Sequence, residues 1–143
     1  MNLRQSWLLF ALGSAFFAGL TALFGKIGVA GINSNLATFI RTVVILGVTA
    51  AILSLRSEWR PTSPIQPQTW LFLVLSGIAT GLSWLCYYRA LQLGPVGKVA
   101  PIDKLSVVFA ILLGVLFVGE SLSWPVAIGG GLILTGSIVI ALF

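Results

Sequence analysis

Five apolar runs of about twenty residues each, parted by short polar breaks, dominate this chain. A helix of that length crosses the roughly 30 Å hydrocarbon core of a bilayer. The runs lie at about residues 6–30, 35–55, 69–88, 95–118 and 122–142. Membrane strands would show alternation in segments of about ten residues, and these runs do not. The pattern predicts an all-α integral membrane protein: one domain over residues 1–143, a bundle of five transmembrane helices with short loops. Composition agrees. The residues are 58% hydrophobic and 8% charged, against about 25% charged in soluble domains. Arg4 offers a short basic start, but the first run exceeds the about 7–15 apolar residues of a signal peptide and four more runs follow, so it is expected to be retained.

The formal net charge of +5 and pI near 10.2 would suggest nucleic acid in a soluble chain. Here the Lys and Arg residues stand one or two at a time near segment ends, with no basic cluster, which suits lipid headgroups. No nucleic-acid partner is expected. With no His and a single Cys, the chain cannot build a zinc site, a His-based triad or an internal disulfide. Cys86 sits in an apolar run and suits packing. Neither a metal nor a cofactor is expected. No acid, base and nucleophile set recurs at helical spacing, so the chain is not expected to be an enzyme.

Small residues mark the faces where helices can approach closely. In segment one they are Ala11, Ala15, Ala18, Gly19 and Ala22; in segment three, Gly77 and Gly81. Segment five has Ala127, Gly131 and Thr135 at intervals of four, a candidate dimer contact, with Pro125 in its first turn. Asn33 and Ser34 are N-cap candidates for segment two. The polar loop RSEWRPTSPIQPQ carries Pro61, Pro64 and Pro67 and is expected to be an extended connector, with Trp59 and Trp70 at the interface.

Charges inside such runs are costly and tend to mark a pathway or cavity. Arg41 lies about 9 Å into segment two at 1.5 Å per residue. It can snorkel to the headgroups or face a cavity. Trp84 and Tyr88, four apart, share a face of segment three; they suit an interfacial belt or the aromatic lining of a ligand cavity. The stretch WLCYYRALQLGPVGKVAPIDKLSV adds Lys98, Asp103 and Lys104. Pro101 within it should kink segment four and act as a hinge, freeing a carbonyl near Val96 or Gly97. Asp103 has no basic residue three or four positions away, so its partner is expected on another helix, with Arg41 and Lys26 as candidates. Arg41, Trp84, Tyr88, Lys98, Asp103 and Lys104 together form the candidate cavity wall. Its excess of bases tilts toward anionic or zwitterionic ligands.

The run ALQLGPVGKVAPIDKLSVVFAILLGVLFVGESLSW, with NLATFIRT opening segment two, resembles the drug/metabolite transporter superfamily, specifically its EamA-type domain. The resemblance covers essentially the whole chain. Full-length members carry two inverted five-helix repeats, and this chain supplies one. The resemblance implies secondary transport, usually export, of a small metabolite or drug across a bacterial inner membrane. Such a chain would work as a dimer of five-helix units, rocking about a central site with Asp103 as the coupling or counter-charge group. The rival expectation is a non-transporting membrane subunit that partners a larger transporter, flippase or enzyme.

Overall fold

The computed structural model describes residues 3–61 and 63–143, with side chains from Trp7 onward, so the Arg4 side chain lies outside the described residues. The regular elements described are all helical. They are α1 (Leu3–Gly28), α2 (Ser34–Leu55), α3 (Pro67–Leu93), α4 (Val96–Asp103), α5 (Ser106–Leu113), a π-helical turn (Gly114–Val118) and α6 (Trp124–Leu142). Five helical stretches are long and apolar enough to cross a membrane, the fourth being the composite Val96–Val118. The all-α, five-span architecture expected from the apolar runs is therefore the one observed. Helix α3 runs on to Leu93, five residues past the expected end, and Pro67 opens it where a missing N–H is harmless.

The chain divides into two compact units, one of Phe24–Gln92 and one of Leu93–Phe143 with the residues up to Leu23. In the first, the end of α1 lies against the end of α3. A Cβ at Gly25 would stand 3.2 Å from both Leu91 Cδ1 and the Tyr88 hydroxyl. Leu91 and Val29 are 0% and 1% exposed and centre this contact. Lys26 Nζ donates to the Leu91 carbonyl at 2.6 Å, tying the two helix ends. A hydrogen bond from a charged donor contributes about 1.5–3 kcal/mol. Of the two cap candidates, Asn33 caps α2, its side chain accepting from the Asn35 N–H at 2.8 Å. Gln92 Nε2 donates to the Ile32 carbonyl at 2.8 Å, fastening the α1–α2 turn to the end of α3.

In the second unit, α6 packs against α4 and α5 through one face. Gly130 is buried, and a Cβ there would stand 3.1 Å from Ile111 Cδ1. Ser137, seven residues on and 5% exposed, lies on the same face. Gly131 and Thr135 lie roughly 100–140° around the helix. Both are exposed, and nothing stands within 4 Å of a Cβ at Gly131. Ala127 is half-buried. The small-residue surface thus divides into a packed stripe and an open one. Gly77 and Gly81 on α3 are open too, with nothing within 4 Å of either.

Most large apolar side chains, among them Phe10, Leu46, Leu73 and Phe117, are more than half exposed, as befits surfaces that meet lipid. Five threonine hydroxyls within the spans are satisfied locally. Thr38, Thr42, Thr49, Thr80 and Thr135 each donate to the carbonyl four residues back, at 2.8–2.9 Å. That removes the cost of a bare donor in hydrocarbon.

Candidate functional site

The Phe24–Gln92 unit brings three of the candidate side chains together. Arg41 stands on the eighth residue of α2, and its Cζ lies 3.8 Å from the centroid of the Trp84 ring and 5.5 Å from that of Tyr88. Spacing explains why both rings meet one guanidinium, since residues four apart on α3 stack on one face. Tyr88 is 6% exposed, Trp84 and Arg41 half-buried. Arg41 thus stacks on aromatic rings of α3. The guanidinium lies over an indole nine residues short of the end of α3.

The electrostatics of this stack are incomplete. Arg41 Nη1 is buried without a hydrogen-bond partner. On the same helix the Thr38 and Thr42 hydroxyls donate to the Ser34 and Thr38 carbonyls. Glu58 is the one carboxylate of the unit's sequence, and it pairs at 3.5 Å with Arg56 in the exposed polar loop. A charge at the bilayer centre costs about 2.5–3.5 kcal/mol by insertion scales. A desolvated cation–π contact returns about 2 kcal/mol. The rings therefore hold the guanidinium in place without satisfying Nη1, and the arginine fork matches the two oxygens of a carboxylate or phosphate. One helical turn away, Thr38 and Gly81 help line an apolar groove of about 340 Å³ between α2 and α3.

Lys98, Pro101, Asp103 and Lys104 belong to the other unit. Lys98 and Lys104 are exposed. The described ion pair of Asp103 is with its chain neighbour, Oδ2 to Lys104 Nζ at 3.4 Å, where a partner on another helix was expected. Within the Phe24–Gln92 unit, Lys26 donates to the Leu91 carbonyl and Arg41 stacks on Trp84.

Span four is discontinuous, though not at the proline itself. Helix α4 continues through Pro101 to Asp103, and the break falls at Lys104–Leu105. There the backbone tightens to three-residue hydrogen bonds: Lys104 N–H to Pro101 O, Leu105 N–H to Ile102 O and Val107 N–H to Lys104 O, each at 3.0 Å. The Pro101 carbonyl also accepts from Ser137 Oγ of α6 at 2.9 Å. This polar contact keeps an irregular backbone satisfied at depth. Sequence reasoning missed Ser137, whose one available signal was a lone hydroxyl on an apolar face of α6. Beside the break, an apolar groove of about 460 Å³ runs between α4 and α6, with Lys104 and Ser137 among its lining residues. At the far end of α5 the π-helical turn widens the same span. It closes on Gly119, at φ 75°, a left-handed position that favours glycine. Interrupted helices of this kind occur at functional sites and hinges.

Comparison with known proteins decides what this architecture is. Residues 5–142 match the EamA-like transporter family. The chain belongs to the EamA-like transporter family. A *Sinorhizobium* protein described as an uncharacterized transporter in the cobO 3' region is 54% identical over 141 residues, 99% of this chain and 100% of that protein. No solved structure gives a significant match. This EamA-family chain is thus a multi-pass membrane protein of a transporter family, in keeping with its five apolar spans.

Proposed function

We propose that this EamA-family chain is a secondary transporter that exports a small metabolite or drug across a bacterial inner membrane, as a dimer of two five-helix units. The observation that carries the reading is the family match over residues 5–142, which takes in all five spans once. The *Sinorhizobium* relative is covered over its whole length by the same five-span chain. Two such units supply the two repeats on which alternating access depends, one rocking against the other around a midplane site. In this reading the interrupted fourth span is the moving element, Pro101 the hinge and Asp103 the coupling group. Lys98 and Lys104 add positive charge to the pathway. The open stripe of Gly131 and Thr135, with half-buried Ala127 beside it, is the contact between copies.

Flux into proteoliposomes across a metabolite panel, with and without a pH gradient, tests this directly. At least one solute should move in a gradient-dependent way, and Asp103→Asn should abolish the gradient dependence. A protein whose cellular phenotypes all survive Asp103→Asn, and which moves no solute, is instead a non-transporting subunit of a larger assembly.

Pro101→Ala restores a backbone N–H to α4 and should change transport rate more than the yield of folded protein. Rate measured per folded molecule, from size-exclusion yield and initial flux, separates the two. Equal loss of both would make the proline structural only.

A further inference from the structure

We infer that Arg41, held by the rings of Trp84 and Tyr88, binds the oxyanion of an organic anion, a carboxylate or a phosphate, and so makes organic anions the substrate class. This rests on the transporter reading above and names its ligand chemistry. Three independent features of the Phe24–Gln92 unit point the same way.

The first is fixation. With Cζ 3.8 Å from the Trp84 centroid, the guanidinium is held over an indole within a candidate membrane-spanning helix. The second is vacancy of its hydrogen bonds. Nη1 is buried with no acceptor. The third is charge. The carboxylate of the unit's sequence, Glu58, is paired with Arg56 in the polar loop. A guanidinium with five donors in a planar fork and no carboxylate against it is complementary to an oxyanion in both charge and shape. Nη1 itself is buried, but Arg41 as a whole is half-buried, which leaves part of the residue accessible to an anion. The groove one helical turn away between α2 and α3 is mostly apolar, which favours an anion carried on a hydrophobic body over a small hydrated ion.

The test uses the full-length protein in a phosphate-free maltoside detergent, with benzoate as probe and benzamide as its neutral counterpart. The readout is the Trp84 indole N–H resonance, assigned by its loss in Trp84→Phe. The other four tryptophans report whether the fold is intact. Benzoate should shift the Trp84 resonance saturably and benzamide should not. Arg41→Gln should weaken benzoate binding about tenfold or more, the loss expected for a charged hydrogen bond, with the other indole resonances unmoved. Should Arg41→Gln disturb those resonances, Arg41→Lys carries the test. It keeps the charge without the fork and should bind with intermediate affinity. Three results would overturn the inference: no saturable shift up to the solubility of benzoate, an equal shift with benzamide, or a shift only when phosphatidylglycerol is added. The last would make Arg41 a lipid-headgroup site. Benzoate binding by a protein that moves no solute in proteoliposomes would sink the transport reading and leave the site standing. Flux of neutral solutes without benzoate binding would do the reverse.

Discussion

Gly25→Leu is expected to destabilise the protein by about 1–3 kcal/mol, the usual cost of forcing extra methylenes into a packed contact. The position tolerates no side chain without movement, since even a Cβ would lie 3.2 Å from Leu91 Cδ1 and the Tyr88 hydroxyl. Neither neighbour is free to retreat, being 0% and 6% exposed. Tyr88 is also part of the aromatic surface under Arg41, 5.5 Å from its Cζ. Crowding at Gly25 should therefore be felt at the arginine as well as in the melting temperature. Gly47→Leu is the matched control, because nothing stands within 4 Å of a Cβ at Gly47 on α2 of the same unit. Thermal unfolding in detergent should separate the two variants. Equal melting temperatures would mean that the α1–α3 contact is not the packed centre of its unit.

The spans were legible because bilayer thickness imposes a length on every apolar run, and the sequence has five runs of that length. The convergence of Arg41 with Trp84 and Tyr88 was half legible. The four-residue spacing put both rings on one face of α3, whereas the register between α2 and α3 that brings Arg41 onto that face is tertiary. Pro101 announced an irregular fourth span but not where it would break. The ring removes a hydrogen-bond donor at 101, while the turn closes at Lys104–Leu105, where the Ser137 hydroxyl of α6 meets the Pro101 carbonyl. A partner on a distant segment leaves no periodic trace, and the same holds for Lys26. Its described bond is to a carbonyl of α3, an acceptor present at every residue and therefore unmarked in sequence. The π-helical turn at Gly114–Val118 follows no pattern of residue types that separates it from an α-helix.

The second large effect concerns which way up the chain inserts. Five spans place the termini on opposite sides. The N-terminal side receives Arg4, then Arg56 and Arg60 of the proline loop, and the turn before α6 adds no basic residue. The other side receives Lys26, Arg89 and Lys98, and reaches five if Arg41 and Lys104 count toward it. The stacking of Arg41 on Trp84 weakens its claim as a loop charge, which brings the two sides closer to parity. Lysine and arginine counts in short loops set orientation, and acids contribute little. A bias of nil to two leaves both orientations accessible. Two opposed copies would then rebuild a ten-helix inverted pair, and the open stripe of Gly131 and Thr135 offers backbone close enough for two helices to meet. The expected state is an antiparallel homodimer of dual topology.

C-terminal reporter fusions measure this most directly, one reporter active only in the cytoplasm and one only outside. Both should be active on the unmodified protein. Two lysines added to the proline loop should draw the N-terminal side into the cytoplasm, carry the C-terminus outside and silence the cytoplasmic reporter alone. A single active reporter on the unmodified protein would contradict the account: the chain would then insert one way, and its partner would have to be a parallel copy or a different protein.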